Sequence, residues 1–221
     1  MSKRLFLKQF ELVAVVGSNK CPGSKITTEQ RRSFIVQHNR LRSKLIHGKL
    51  TNKNGKHMPS GKNMMKMVWS CTLEKAAQLW AERCVMKHSE RDGKTGENLY
   101  FWSSSNTIPK EELRTAGVFS SKDWWSELPE LYRNNPKNIL TDKVWEQGIG
   151  HFTQMAWGKT YKIGCGIASH CDGGKAVYVV CQYRPRGNMI GELIYELGKP
   201  CKTDGDCRTK KCHVKSGLCE K

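Results

Sequence analysis

Cysteine content is the feature that most constrains how this 221-residue chain can fold. The number of cysteines is even, and no two of them form a Cys-x-x-Cys pair. Zinc ribbons and fingers need ligands about two to four residues apart, whereas scattered cysteines in an oxidising compartment form disulfides. We therefore predict five disulfides in a secreted, extracellular protein, with a connectivity that the sequence leaves open. The ten residues are Cys21, Cys71, Cys84, Cys165, Cys171, Cys181, Cys201, Cys207, Cys212 and Cys219.

Composition divides the chain into three parts. Residues 1–20 have a basic start, but charged residues interrupt their apolar run, so we interpret them as a weak leader or a short extension. Residues 21–198 carry the apolar periodicity of a folded domain. Residues 199–221 contain four cysteines and almost no apolar side chains, and such a segment cannot build a core of its own. We expect it to be a separate hinge-like tail held only by its own disulfides.

The net charge of +18 indicates attraction to anionic partners. Nucleic acid is the first candidate for such a charge, but the chain has no recognised nucleic-acid reader motif and the extracellular compartment argues against it. Anionic glycans and membrane surfaces fit the compartment better. The alternative is a solvated basic surface without a specific partner, and we expect a monomer or a weak dimer.

Three helices are predicted from apolar periodicity and capping residues. The sequence TTEQ at residues 27–30 has the form of a capping box, and it begins a helix over residues 28–47. A second helix is predicted from residue 72 to residue 88. Pro109 is placed in the first turn of a third helix, and Trp124 belongs to that helix or to one just after it.

The strands are predicted mainly in the C-terminal half. Residues 161–168 and 176–183 are rich in β-forming residues, and the turn sequence CDGG between them predicts an antiparallel hairpin. Residues 97–102 supply a third strand and residues 189–195 a fourth element. Helices that flank a small antiparallel sheet indicate a layered fold of the α+β class.

Two longer motifs carry a resemblance to a known family. Residues 150–160 (GHFTQMAWGKT) and residues 178–189 (YVVCQYRPRGNM) resemble, in the correct order, the two signatures of the CAP superfamily, which includes cysteine-rich secretory proteins, antigen 5 and pathogenesis-related 1. The resemblance extends over residues 26–195. The tail looks like the cysteine-rich extension of nematode venom-allergen-like, activation-associated secreted proteins. The resemblance implies a three-layer α-β-α sandwich.

The resemblance also implies a cleft with two histidines and two carboxylates. The elements that match are KHS, GENL, WWSE and the first signature, and they place the four residues at His88, Glu97, Glu127 and His151. In this family such a site is associated with a divalent metal, zinc most often, because two imidazoles can bind the ion while carboxylates orient them. The alternative is a hydrogen-bonded polar network that fixes the cleft without metal.

Two further groups of residues are considered for function. His38 falls on the apolar face of the first helix, so we predict a core histidine rather than a ligand. Residues 130–148 resemble the family's caveolin-type loop that is linked to sterol binding, and family members also have an apolar groove between helices. The predicted lipid-binding residues are Tyr132, Trp145, Phe152, Phe34, Leu41 and Leu45.

Three functions follow as hypotheses. The first is a secreted, non-enzymatic protein that binds sterols or fatty acids and modulates a host or tissue environment. The second is a zinc-dependent hydrolase at the His/Glu cleft, although the chain has neither an HExxH helix nor a GxSxG elbow. The third is a protein directed at a host receptor or an ion channel, in which the tail takes part.

Overall fold

The chain folds into a layer of helices, a central sheet and a further helix. A computed structural model describes residues 21–90 and 92–221, so the predicted leader or extension at residues 1–20 lies outside the described residues. The α-helices are α1 (Thr28–Ile46), α2 (Cys71–Ala81), α3 (Lys110–Leu113), α4 (Ala116–Glu130), α5 (Asp142–Trp145) and α6 (Gly150–Ala156). The strands are β1 (Gly61–Lys62), β2 (Val68–Trp69), β3 (Gly96–Ser103), β4 (Lys162–Cys171), β5 (Ala176–Arg184), β6 (Glu196–Leu197), β7 (Cys212–His213) and β8 (Leu218–Cys219).

The main sheet has the strand order β2-β4-β5-β3. The predicted hairpin is confirmed, because β4 and β5 pair antiparallel around a short turn at residues 172–174. The third predicted strand is also confirmed, with β3 pairing antiparallel to β5 along its whole length. The sheet is antiparallel except at one edge, where the two-residue strand β2 runs parallel to β4.

Helices cover both faces of this sheet. Helices α1, α4 and α6 pack on one another and form one layer, whereas α2 packs on β4 and β5 from the other side. The larger core lies under the first layer, and a smaller core of Ala77, Leu99, Ala168 and Val180 lies under α2. The predicted three-layer α-β-α sandwich is therefore confirmed.

Close approach of α2 to the sheet depends on two glycines of β4. A β-carbon at Gly164 would lie 2.2 Å from the backbone nitrogen of Glu74, and one at Gly166 would lie 2.3 Å from the Cα atom of Gln78. Both neighbours are helix backbone, which cannot move aside as a flexible side chain can. Because the helix lies so close, the Gln78 amide accepts from the Ile167 N–H at 3.0 Å and donates to the Ile167 carbonyl at 2.9 Å.

All ten cysteines are paired, which confirms the prediction of five disulfides. The pairs are Cys21–Cys71, Cys84–Cys171, Cys165–Cys181, Cys201–Cys212 and Cys207–Cys219. Three of them join elements of residues 21–198, and the other two lie within the tail. None of the helices in the described ranges is long and apolar enough to cross a membrane.

The first helix is predicted closely, but the second is shorter than predicted. Thr27 and Gln30 form the capping box at the start of α1 through reciprocal hydrogen bonds of 3.1 and 2.7 Å. Helix α2 ends at Ala81 and does not continue to residue 88. Cys84 adopts a left-handed φ of 55° and is tied to β4 by its disulfide, so the helix cannot continue through this residue.

The fourth predicted strand element is wrong. Residues 189–195 form no strand, and Leu193 makes only an isolated bridge with Ile139. The fourth strand of the main sheet is instead β2, a segment too short to show alternation in the sequence.

The tail is held by more than its own disulfides, so that part of the prediction is also wrong. Cys219 donates its N–H to the Met64 carbonyl at 2.8 Å, and its own carbonyl accepts from Lys66 at 2.7 Å. Leu218 has no exposed surface and belongs to the main core. One apolar side chain and a short run of backbone pairing are enough to attach a segment that has no core of its own. The boundary between residues 21–198 and 199–221 remains a prediction.

His38 is a core residue, as predicted. Its side chain is fully buried, with Nδ1 2.9 Å from the Phe34 carbonyl oxygen and Nε2 2.9 Å from the Tyr183 hydroxyl. Since a carbonyl can only accept, Nδ1 carries the proton and Nε2 accepts from Tyr183. Burial lowers the pKa of His38 from 6.5 to about 3, against the opposing effect of the hydrogen bond to Phe34. The positive charge of Arg42 adds to the lowering.

This buried imidazole predicts a loss of stability in acid. The unfolded chain takes up the proton at a higher pH than the folded protein does, so this contribution is complete above the unfolded pKa of about 6.5 and declines toward pH 3. We expect the free energy of unfolding to fall by up to about 1.4 kcal/mol per pH unit in that window.

Urea unfolding of the wild type and of His38→Gln over this pH range tests the prediction. Glutamine does not titrate there, so the variant should lose less stability per pH unit than the wild type, whatever its stability at neutral pH. Equal slopes for the two proteins would contradict the assignment.

Candidate functional site: a cleft with two carboxylate-held histidines

The first histidine of the cleft is held by a buried glutamate. His88 lies in the loop after α2, and its Nδ1 is 2.9 Å from Oε1 of Glu97 on β3. The Glu97 side chain has no exposed surface, and it also accepts from the Ser89 N–H, the Ser89 hydroxyl and the Gln182 amide at 2.9, 2.6 and 3.0 Å. Burial alone would raise the pKa of Glu97, but these hydrogen bonds outweigh it and leave that pKa below its ordinary value.

The second histidine is held in the same way. His151 lies near the start of α6, and its Nδ1 is 2.5 Å from Oε1 of Glu127 on α4. The other oxygen of Glu127 accepts from the Phe152 N–H at 2.8 Å. Trp124 lies nearly parallel to the imidazole, with ring centroids 6.3 Å apart.

Both imidazoles open into one cleft. They are 49% and 40% exposed, and they line, together with both glutamates, a cleft of about 650 Å³. Because a carboxylate accepts, Nδ1 of each ring carries a proton, and Nε2 is the ring nitrogen left open to the cleft. Neither Nε2 has a hydrogen-bond partner among the described residues. The structure thus brings all four predicted residues, His88, Glu97, Glu127 and His151, into one site.

The arrangement fits a metal held by imidazoles rather than by carboxylates. Metal-binding histidines commonly donate the second ring N–H to a carboxylate, which fixes the ring and raises its basicity. Here both glutamates occupy that orienting position. Within the described residues, the closely spaced groups of three potential ligands are Cys84–His170–Cys171 and Cys201–Cys207–Cys212, and the four cleft residues do not form such a group. Their sulfur atoms are in disulfides, which removes them as thiolate ligands.

The strand register explains how the sequence builds the first half of the site. Glu97 on β3 lies directly opposite Gln182 on β5, so the two side chains project from the same face. The neighbouring Asn98 donates to the His151 carbonyl at 3.2 Å and so connects β3 to α6. Ser89 and Gln182 were missed as site residues in the sequence, although Gln182 lies within the second signature and could have been found from the register.

Most of the predicted lipid-binding residues belong to the core. Phe34, Leu45, Tyr132 and Phe152 have no exposed surface, and Leu41 packs against the same cluster. They therefore fill the space between helices and sheet and do not line an open groove, which corrects the prediction. Sequence periodicity reports which face is apolar, but a core and a groove need the same residue types.

Trp145, the sixth predicted lipid residue, lies in the cleft itself. Its indole is 43% exposed and lies beside Gly150, next to His151. The loop that suggested a sterol site thus contributes its tryptophan to the histidine site.

Comparison with known proteins identifies the family. Residues 36–183 match the model of the cysteine-rich secretory protein family, CAP. The chain belongs to this family. It is 35% identical to the Ancylostoma secreted protein of Ancylostoma caninum over 91% of its length, but it spans about half of that relative, 47%.

Solved structures of related CAP proteins agree with the fold. The structure of BmVAL-1 superimposes with a TM-score of 0.89 at 58% identity, covering 91% of this chain and 98% of that one. The structure of NaASP2 with Zn²⁺ gives a TM-score of 0.78 at 36% identity, covering 90% of this chain and 100% of that one. The resemblance to venom-allergen-like and activation-associated nematode proteins is thereby confirmed.

The close contact at Gly96 predicts that the substitution Gly96→Ala lowers the stability of the protein. A β-carbon there would lie 1.9 Å from Oε1 of Gln154, the atom that accepts from the Gly187 N–H at 2.9 Å. In Gly96→Ala the Gln154 amide must move and leave that buried N–H unpaired, so we expect a loss of about 1 to 3 kcal/mol. Gly205→Ala is a matched control, because its nearest neighbour would be an ordinary 3.7 Å away. Chemical unfolding of both variants measures the difference, and an unchanged midpoint for Gly96→Ala would count against the contact.

Proposed function

We propose that this CAP protein is an extracellular, non-enzymatic binding protein whose cleft holds a divalent cation, zinc in the first instance. The observation that carries the proposal is the pair of imidazoles, each fixed by a glutamate at Nδ1 and each presenting Nε2 to one cleft. His88 and His151 would hold the ion, and Glu97 and Glu127 would orient them. A bound zinc would supply a Lewis acid that accepts an anionic group of a ligand. NaASP2, a relative with 36% identity, has been solved with Zn²⁺.

Extracellular localisation is supported by the cysteines and by the relatives. Five disulfides with no free cysteine in the described chain are typical of an oxidising compartment. The relatives include a secreted protein of Ancylostoma caninum and venom allergen 5 of Polistes dominula. A role in modulating a host or neighbouring tissue is part of the proposal.

The carboxylates support binding rather than catalysis. A metal-dependent hydrolase of the predicted kind needs one glutamate that can take a proton from a bound water. Glu97 has no exposed surface and both of its oxygens accept hydrogen bonds. Glu127 is also engaged at both oxygens, by His151 and by the Phe152 backbone. Each carboxylate is therefore committed to holding an imidazole.

Zinc titration by calorimetry tests the metal site. We expect the wild type to bind one equivalent and His88→Ala or His151→Ala to lose this binding. Glu97→Gln keeps both ligands but loses the charged partner of His88, so its affinity should fall about 10- to 100-fold.

His57→Ala is the matched control for these variants. This exposed histidine is also held at Nδ1, by the Gly48 carbonyl at 3.0 Å, but it lies outside the cleft. Zinc binding that survives the loss of His88 and His151 together would contradict the proposal.

Lipid binding is a second candidate, favoured by one partly apolar cavity. A cavity of about 590 Å³ lies where residues 192–197 meet the tail, and Leu193 and Leu197 expose 40% and 37% of their surfaces there. Lys62 lines the same cavity, is in none of the ion pairs of the described residues, and suits the carboxylate of a fatty acid. The other two cations of the lining, Lys159 and Arg208, are paired with Glu192 and Glu196.

Radiolabelled palmitate and cholesteryl ester test this candidate directly. We expect Leu193→Ser and Leu197→Ser to weaken saturable palmitate binding, because each removes apolar contact from the cavity. Val36→Ser, a comparable change at an exposed residue of α1, should leave the binding unchanged. Saturable binding of neither lipid by the correctly oxidised protein would remove the candidate.

A further inference from the structure

Trp145 exposes its indole in the cleft beside the two histidines. Helix α5 carries it, and the outer atoms of its six-membered ring lie 3.0 and 3.3 Å from where a β-carbon at Gly150 would stand. The absence of a side chain at Gly150 therefore allows the indole to lie close to the start of α6. A large aromatic ring left 43% exposed in a cleft is available for contact with a ligand.

Arg186 gives the same cleft a positive charge with no acidic partner. Its backbone is fixed by a hydrogen bond of 2.9 Å to the Lys94 carbonyl, and its Nε is 3.0 Å from the Met189 sulfur. The ion pairs among the described residues include neither Arg186 nor Lys94. A guanidinium that is exposed and not paired with a carboxylate is well suited to a sulfate or carboxylate group, which it can bind in a bidentate manner.

Neither glutamate of the cleft presents an open oxygen to a ligand. Both are covered by the imidazoles that they hold, with exposed side-chain fractions of 0% and 14%. The ligand-facing surface therefore includes Nε2 of both histidines, the indole and the guanidinium. A cation bound by the histidines would make it more positive, and the whole chain has a net charge of +18.

We propose that this cleft binds an anionic saccharide, with a sugar ring against Trp145 and its sulfate or carboxylate group on Arg186. The electron-rich face of an indole attracts the C–H groups of a ring laid flat on it. A cleft of about 650 Å³ is in the size range of ligand sites but is open and partly polar, which suits a hydrated sugar better than a lipid chain. The inference rests on the proposed function only in that a bound zinc would strengthen the attraction.

Calorimetry with a sulfated, uronate-containing disaccharide from heparin tests the proposal at physiological ionic strength. A disaccharide carries few charges, so non-specific attraction to the basic surface of the protein contributes little to the measured affinity. We expect saturable binding by the wild type and at least about tenfold weaker binding by Trp145→Ala and by Arg186→Ala. A neutral disaccharide should bind measurably more weakly than the sulfated one.

Two control variants separate the cleft from the rest of the surface. Trp102→Ala removes a tryptophan of similar exposure, 37%, on β3, and Arg32→Ala removes an exposed arginine on α1. Neither residue lines the cleft, so both variants should bind like the wild type. Thermal unfolding of all four variants verifies that they are folded. No saturable binding, or equal losses in the controls, would overturn the proposal, and so would inorganic sulfate that competes as well as the disaccharide.

Each titration is run with zinc and with a chelator, which distinguishes this inference from the metal proposal. Zinc bound in the absence of saccharide, with no saccharide bound under either condition, would refute the saccharide site alone. Saccharide bound in chelator by a protein that binds no zinc would refute the metal site and leave the saccharide site standing.

Discussion

The position of α6 depends on the hydrogen bonds that the guanidinium of Arg42 donates. The guanidinium is fully buried in α1 and is in none of the ion pairs of the described residues, and burial lowers its pKa from 12.5 to about 9. Its N–H groups donate instead to five backbone carbonyls, those of Met65, Met155, Trp157, Gly158 and Thr160. Four of these lie at or after the end of α6, where unpaired carbonyls carry partial negative charge. One side chain thus fixes the C-terminal end of the helix that presents His151.

A second polar connection runs from the core to the cleft. His38 accepts from the Tyr183 hydroxyl, and Asn98 lies within hydrogen-bonding distance of that oxygen, at 3.5 Å, and of the His151 carbonyl, at 3.2 Å. Burial raises the pKa of Tyr183 well above 10, so the hydroxyl keeps the proton that it donates. The buried polar groups of this fold therefore join α1, the sheet and α6, and the site residues are attached to a network whose members satisfy one another.

What the sequence predicted well and what it missed have different physical origins. The capping box of α1 and the β4–β5 hairpin depend on neighbouring residues, so local patterns identify them. The four cleft residues were found through motifs, but the role of Glu97 depends on its pairing with Gln182 across two strands. Phe34 was assigned to a groove because a core and a groove use the same residue types. Long-range contacts decide the last two cases, the role of Glu97 and the place of Phe34.

The carboxylates of the cleft are fully hydrogen-bonded before any ligand binds, and this property supports the proposed binding role over turnover. Burying Glu97 and Glu127 is unfavourable unless their oxygens are paired, and here every oxygen accepts at least one hydrogen bond. Both imidazoles are consequently held in a fixed orientation, so little conformational freedom remains to be lost on binding. A catalytic carboxylate would have to exchange protons and give up such a bond in each cycle. A rigid site whose imidazoles are already oriented is instead what selective binding requires.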